Sequence, residues 1–308
     1  MSDRAVTGPG DTEGGEMDTS FGTIITAMVT PFDRELAVDH GRLAELAAWL
    51  VDHGSDGLVV AGTTGESPTL TDDEKLAMFR TVMEAVGDRA SVIAGTGTYD
   101  TRHTIALTKK AADCGVDAAL VVTPYYNKPP ERGLIEHFKA VAAASPLPVI
   151  IYNIPGRSGV NLSAEALAVL GEVERIVAVK QANPDRDDLA RLVERSDIGI
   201  YAGNDDMLLD VLRLGGLGGI CVASHVVGPR MAEMAARVRE GRLAEAEAID
   251  AELQPLYKAL FVTTNPIPIK AAVGLLGIDV GGLRLPLVPA TDEERAVVRS
   301  QLERLELL

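Results

Sequence analysis

The sequence predicts an α/β fold, a TIM (β/α)8 barrel with additional C-terminal helices. Eight short segments rich in valine, isoleucine and alanine alternate with longer helical patterns, and eight consecutive βα units close a parallel barrel. The glycine pattern GxGxxG, which is typical of open nucleotide-binding sheets, does not follow the first strand, so a doubly wound sheet is the less favoured alternative. The predicted strands are residues 23–30, 57–62, 91–97, 118–123, 149–153, 176–180, 199–202 and 219–223.

Helix-start signals support the same alternation. Thr71 and Ser163 each precede an acidic first turn, as N-capping residues do. After the eighth strand, helices are predicted at 229–241, 243–260, 265–277 and 291–307. The chain is accordingly divided into a disordered N-terminal tail (1–20), the (β/α)8 barrel (21–228), and the last barrel helix with a C-terminal helical extension (229–308).

Composition limits the possible partners. The net charge of -16 and the pI near 4.7 argue against nucleic acids and anionic membranes. No run is long enough to span a membrane, and the first 20 residues lack the pattern of a signal peptide, so a cytoplasmic protein is expected. Cys114 and Cys221 have no metal-binding or CxxC spacing and are expected to be buried free thiols.

Lys180 is the most informative candidate for chemistry. It ends the apolar run Ile176, Val177, Ala178, Val179, which is typical of a strand buried on both faces. Burial disfavours the ammonium form of a lysine and so provides a nucleophilic amine for an imine. A lysine that merely extends from a strand end into solvent is the more common case, so the neighbouring residues must decide.

Polar residues at other strand ends supply such neighbours, because the carboxyl ends of barrel strands form one face. Residues 62–66, Gly-Thr-Thr-Gly-Glu, offer a tight turn with hydroxyls and amides for a carboxylate. Tyr125 and Tyr126 follow strand four, and Tyr152 and Arg157 lie at the end of strand five. With Lys180 as the nucleophile, Tyr152 is the nearest candidate proton shuttle. The five histidines show no metal-binding spacing, and no phosphate loop or flavin motif is present. No metal and no cofactor are therefore expected.

These residues together resemble the dihydrodipicolinate synthase family, within the pyruvate-dependent class I aldolases and lyases. The resemblance covers residues 21–308, and the joint order of its motifs is highly specific. The motifs are residues 62–68 (GTTGESP), 122–129 (VTPYYNKP), 152–159 (YNIPGRSG), 179–180 (VK) and 265–270 (NPIPIK).

The resemblance implies a role for each matching residue. Pyruvate would form an imine with Lys180, and Thr64 would hold its carboxylate. The implied proton relay comprises Tyr152, Thr63 and Tyr126, with Tyr126 supplied by a neighbouring subunit. Arg157 would bind the carboxylate of aspartate semialdehyde, and Gly203 and the backbone carbonyl of Ile220 would line the imine site.

The implied reaction condenses pyruvate with L-aspartate 4-semialdehyde through this imine to give 4-hydroxy-tetrahydrodipicolinate, a step of diaminopimelate and lysine biosynthesis. Members of the family are commonly homotetramers, built as dimers of dimers. A sugar-acid aldolase, of the N-acetylneuraminate lyase or 2-keto-3-deoxy type, is the alternative that shares Lys180 and Tyr152; Arg157 and the Thr63–Thr64 pair favour the synthase. A barrel that has lost catalysis and serves only in binding is disfavoured, because it would not need these residues together.

Three positions depart from the family pattern. Gln181 stands where a glutamate commonly follows the lysine. At the positions that match the feedback-lysine pocket of some members, Tyr99 and His103 replace an amide and a carboxylate. We therefore expect weak or absent inhibition by lysine.

Overall fold

A closed barrel of eight parallel strands forms the centre of the protein. The computed structural model describes residues 21–308. Each strand pairs with the next along the chain, and the eighth returns to pair with the first. The strands are β1 Ile24–Ala27, β2 Gly57–Val60, β3 Ser91–Gly95, β4 Ala118–Val122, β5 Val149–Asn153, β6 Ile176–Gln181, β7 Gly199–Ala202 and β8 Gly218–Cys221.

Helices follow the strands and surround the barrel. Short 3-10 turns at Ser67–Thr69 and Asp205–Met207 lie in the loops after β2 and β7. The helices are α1 His40–Asp52, α2 Asp72–Val86, α3 Thr101–Ala112, α4 Glu131–Ala144, α5 Pro155–Ser158, α6 Ala164–Gly171, α7 Arg186–Arg195, α8 Leu208–Arg213, α9 Ser224–Arg239, α10 Leu243–Ala259, α11 Ile267–Leu275 and α12 Asp292–Arg304.

The predicted TIM barrel with additional C-terminal helices is confirmed, and the main differences are at element ends. Strands β1 to β4 end one to three residues before their predicted bounds, because the residues that follow leave the ladder to form loops. Helix α9 begins at Ser224 rather than at residue 229, and its kink at Val227 precedes Pro229, which cannot donate a helical hydrogen bond. The predicted tail, residues 1–20, lies outside the described residues.

Two apolar clusters form the interior. The inner cluster takes side chains from every strand, including Ile25, Val59, Tyr152 and Ile220, and so fills the barrel. The larger cluster lies between the outer strand faces and the helices. Burial on both faces explains why the strands are almost continuously apolar.

The C-terminal extension reaches back over the barrel. Helices α10 and α11 each pack against α9, and α12 packs against both α10 and α11. The segment after α11 then returns to the loop after β1, where the Phe32 amide donates to the Val280 carbonyl. Gly281, with a φ of 67°, lies so close to Phe32 that a Cβ atom would be 1.9 Å from its carbonyl oxygen. The extension therefore lies beside the carboxyl ends of the strands.

Candidate active site

Lys180 lies on the inner face of the barrel near the carboxyl end of β6. It is only 4% exposed, and it is in register with Tyr152 on β5 and Tyr201 on β7. The amine nitrogen lies 4.3 Å from the centroid of the Tyr152 ring. The predicted buried strand-end lysine is therefore present, with a phenol beside it.

A cavity opens above this pair at the carboxyl ends of the strands. It has about 770 Å³ of empty space, part of it open to solvent. Three predicted site residues line it: Thr63, Tyr152 and Arg157. Lys180 is not among the lining residues, and it adjoins the cavity wall through Tyr152. The lining residues are Ala61, Gly62, Thr63, Ser67, Pro68, Gly95, Gly97, Leu120, Val122, Tyr125, Tyr152, Ile154, Arg157 and Ser158.

The loop after β2 folds tightly around Thr64. The Ser67 amide donates to the Gly62 carbonyl, and Glu66 adopts a left-handed conformation with a φ of 58°. Thr64 is only 2% exposed, and its hydroxyl accepts a hydrogen bond of 2.9 Å from the side-chain amide of Asn265. A hydroxyl that accepts here keeps its own proton available for donation to an anion.

Arg157 lies on the exposed rim of the cavity, in the short helix α5. Its guanidinium donates a hydrogen bond of 3.1 Å to the backbone carbonyl of Asn265. Asn265 therefore contacts both predicted carboxylate-binding residues, Thr64 through its side chain and Arg157 through its backbone. In the sequence, Asn265 stands out only as part of the motif at residues 265–270, which assigns it no role of its own.

A buried ion pair holds the same two segments together. The Lys270 amine lies 2.7 Å from a carboxylate oxygen of Glu66, and both side chains are almost fully buried. Burial lowers the pKa of Lys270, and the Glu66 carboxylate opposes this shift. Lys270 also donates to the Gly282 carbonyl at 2.6 Å. Helix α11 is thereby fixed to the loop that carries Thr63 and Thr64.

Tyr126 is separate from the other predicted residues within this chain. It is 90% exposed, has a φ of 69°, and does not line the cavity. Its neighbour Tyr125 lines the cavity instead and makes an edge contact with Tyr99, with 5.5 Å between the ring centroids. Burial raises the pKa of Tyr125. One chain alone therefore brings together Lys180, Tyr152 and Thr63 but not Tyr126.

Gly203 lies just beyond the end of β7, and Ile220 lies within β8. Gly203 comes directly after β7, and its amide donates to the Gln181 carbonyl at 2.7 Å. A Cβ atom at Gly203 would be 2.7 Å from that of Ala182, so this position excludes a side chain. Ile220 is fully buried within β8.

Comparison with known proteins identifies the family. The profile of the Dihydrodipicolinate synthetase family matches residues 20–305. This chain belongs to that family. It is 55% identical over 285 residues to the 4-hydroxy-tetrahydrodipicolinate synthase of Heliobacterium modesticaldum, covering 92% of this chain and 95% of the relative. The synthase of Desulforudis audaxviator is 50% identical over 295 residues, covering 95% and 100% of the two chains.

Solved structures of the dihydrodipicolinate synthetase family have the same architecture. The dihydrodipicolinate synthase of Bacillus anthracis superposes with a TM-score of 0.90 at 45% identity, covering 92% of this chain and 98% of that one. The synthase of Cyanidioschyzon merolae, solved with lysine bound, gives 0.91 at 45% identity, covering 94% and 99%. The synthase of Acinetobacter baumannii complexed with pyruvate gives 0.91 at 36% identity, covering 94% and 100%.

The predicted dihydrodipicolinate synthase resemblance is confirmed, and the chain is an enzyme of this family. Its relatives are named synthases, which supports the synthase over the sugar-acid aldolase alternative. Within residues 21–308, no helix is both long and apolar enough to cross a bilayer. The same residues contain no cluster of three or more metal-binding side chains. Both cysteines are free, but Cys114 is half-buried rather than buried as predicted.

Proposed function

We propose that this chain condenses pyruvate with L-aspartate 4-semialdehyde through an imine on Lys180, giving 4-hydroxy-tetrahydrodipicolinate for diaminopimelate and lysine biosynthesis. The observation that carries the proposal is the buried amine of Lys180, which lies 4.3 Å from the centroid of the Tyr152 ring, and Tyr152 lines the cavity. The relatives are named 4-hydroxy-tetrahydrodipicolinate synthases, which supports this product.

The chemistry balances without a cofactor. The Lys180 amine adds to the keto carbon of pyruvate, and loss of one water gives the imine. Loss of a methyl proton gives the enamine, whose terminal carbon attacks the aldehyde carbon and forms the hydroxyl-bearing carbon. The substrate amine then attacks the imine carbon, closes the ring and displaces Lys180.

The cavity residues take the remaining roles. Tyr152 and Thr63 line the same cavity, and we assign them, with Tyr126 of a second copy, to proton transfer. Thr64 binds the pyruvate carboxylate. Arg157, exposed at the rim, binds the carboxylate of aspartate semialdehyde, because a guanidinium matches a planar anion with two parallel hydrogen bonds. Gly203 and the Ile220 carbonyl line the imine.

We further propose a homotetramer, a dimer of dimers, that acts in the cytoplasm. Tyr126 is 90% exposed, and Tyr99, whose ring contacts that of the neighbouring Tyr125, is 54% exposed, which suits contact with a second copy. Analytical ultracentrifugation of the protein and of Tyr126→Ala tests the assembly, and a wild-type monomer at working concentration contradicts it.

The activity is tested with a coupled assay. The protein, pyruvate and aspartate semialdehyde are mixed with dihydrodipicolinate reductase, and oxidation of the nicotinamide cofactor is followed. Turnover that requires both substrates supports the proposal. Absence of turnover, with a borohydride-reduced pyruvate adduct still on Lys180, excludes aspartate semialdehyde as the partner.

Two variants separate the roles. Lys180→Ala is expected to abolish the reduced adduct, and an adduct mapped to another residue contradicts the assignment of the nucleophile. Arg157→Ala is expected to leave the adduct intact and to raise the KM for aspartate semialdehyde by about 10-fold or more, since it removes a charge-assisted pair. A raised KM for pyruvate alone contradicts the role of Arg157.

A further inference from the structure

Asp205 is a buried carboxylate at the carboxyl end of β8. It lies in the 3-10 turn after β7 and is only 2% exposed. One carboxylate oxygen accepts from the Val222 amide at 2.8 Å, and the other accepts from the Ala223 amide at 2.9 Å. A buried carboxylate needs such donors to offset the loss of water.

The two amides belong to the backbone that directly follows β8. The ladder between β7 and β8 consists of the pairs Tyr201 with Gly218 and Ala202 with Gly219. Beyond Gly219, the amides of Val222 and Ala223 donate to the Asp205 carboxylate instead of to a neighbouring strand. The carboxylate therefore fixes the backbone on the carboxyl side of Ile220.

Asp205 and the Cys221 thiol affect each other's ionisation. Burial raises the pKa of Asp205, whereas its two backbone hydrogen bonds and the Lys180 charge favour the ionised form. Burial and the adjacent Asp205 carboxylate raise the pKa of the Cys221 thiol well above its ordinary value, so the thiol stays neutral.

We propose that Asp205 is a positioning residue that fixes the end of β8 and thereby holds the backbone carbonyl of Ile220 beside the imine on Lys180. This inference rests on the proposed imine mechanism. Formation of the enamine needs a cationic imine to accept the electrons of the broken C–H bond. A carbonyl oxygen held in place by the backbone stabilises that cation without reorganisation during the reaction.

Exchange of the pyruvate methyl protons provides the test, because it requires the imine and enamine but not the second substrate. Wild type, Asp205→Asn and Asp206→Asn are incubated with pyruvate in D2O, and loss of the methyl signal is followed by proton NMR. Asp206 is the matched control, since it lies next in the same turn and is exposed.

We expect Asp205→Asn to lower the kcat for exchange by about 10- to 100-fold, with the KM for pyruvate and the amount of reduced adduct at saturation close to wild type. Asp206→Asn is expected to stay within about twofold of wild type, as exposed substitutions usually do. Exchange at the wild-type rate in folded Asp205→Asn overturns the inference. An equal fall in exchange and in trapped adduct indicates a purely structural role and also overturns it.

A wild-type protein that shows no exchange and no adduct contradicts the imine mechanism itself. This outcome differs from the one that overturns only the role of Asp205, because in that case the wild type exchanges. If Asp205→Asn does not fold, Asp205→Glu replaces it, because it keeps the charge but cannot hold both amides from the same position. A folded Asp205→Glu with a similarly reduced kcat supports the inference, and one with wild-type exchange overturns it.

Discussion

The amine of Lys180 lies 4.3 Å from the centroid of the Tyr152 ring, and the two residues are directly in register on neighbouring strands. The aromatic ring alone provides this contact, so Tyr152→Phe preserves the packing and removes only the hydroxyl. We expect the variant to retain the borohydride-reduced pyruvate adduct. The kcat of the coupled assay should fall by about 100-fold or more, as expected when a proton-transfer group is lost.

Tyr201→Phe is the matched control for Tyr152→Phe. Tyr201 is in register with Lys180 on the other side, but its hydroxyl bonds to the backbone of Phe21 and Gly22 at the amino end of the barrel. This control is expected to lose stability while keeping kcat within about threefold, since its hydroxyl holds the backbone of Phe21 and Gly22. Equal losses of kcat in the two variants would contradict a specific role for the Tyr152 hydroxyl.

Asn265 is expected to position the pyruvate carboxylate site through Thr64. Asn265→Ala removes the amide that donates to the Thr64 hydroxyl at 2.9 Å, so the hydroxyl is free to rotate. We expect the KM for pyruvate to rise by about 5- to 10-fold, consistent with the loss of about one net hydrogen bond. The adduct should still form at saturating pyruvate. Thr264→Ala, at an exposed neighbouring position, is the control, and an equal KM change there would count against the role of Asn265.

The barrel was predictable from sequence because its strands are buried on both faces and read as separate apolar runs. The importance of Lys180 at the end of β6 was predictable for the same reason. A lysine that closes a buried apolar run either extends into solvent or stays buried, where its amine is available for chemistry. Lys180 stays inside and lies against Tyr152. The positions of Thr63 and Arg157 then follow from barrel topology, which places strand ends on one face.

The role of Asn265 and the position of Asp205 were not predictable in the same way. Asn265 reaches Thr64 across 201 residues of sequence, and no periodicity in the chain encodes that contact. Asp205 follows a strand as many surface aspartates do, and only the arrangement of β7 against β8 buries it. Both depend on long-range packing, which a local pattern does not record.

The buried pair of Glu66 and Lys270 is expected to make the C-terminal extension necessary for stability. Lys270→Met leaves the Glu66 carboxylate buried without its cation, which should cost about 3–5 kcal/mol in the free energy of unfolding. The double variant Glu66→Gln with Lys270→Met removes both charges and should recover part of this loss. Urea unfolding measures the difference. A double variant no more stable than Lys270→Met would show that the uncompensated charge is not the cause.

Weak inhibition by lysine remains a prediction from Tyr99 and His103. The His103 ring lies 2.8 Å from the Asp72 carboxylate. This position therefore carries an imidazole, whereas binding the ammonium group of an inhibitory lysine needs an anion there. A steady-state assay is expected to give a millimolar inhibition constant or none, and a micromolar constant contradicts the prediction. The double variant Tyr99→Asn with His103→Glu should strengthen inhibition by about 10-fold, within the usual range of coupling between sites.

The ion pair of Glu74 and Arg284 is expected to give stability that is lost in acid. Two hydrogen bonds of 2.6 and 3.1 Å from the Arg284 guanidinium lower the pKa of Glu74 from 4.5 to about 2. A carboxyl whose pKa is lowered on folding stabilises the protein fully above its unfolded value. The stabilisation therefore disappears as the pH falls from about 4.5 towards 2. Relative to wild type, Glu74→Gln should cost about 2 kcal/mol of unfolding free energy at neutral pH, and the difference should shrink through this interval. Denaturant unfolding at a series of pH values measures this difference. Glu84→Gln, exposed on the same helix, is the control. A difference between wild type and Glu74→Gln that does not change with pH would mean that the carboxylate charge contributes nothing.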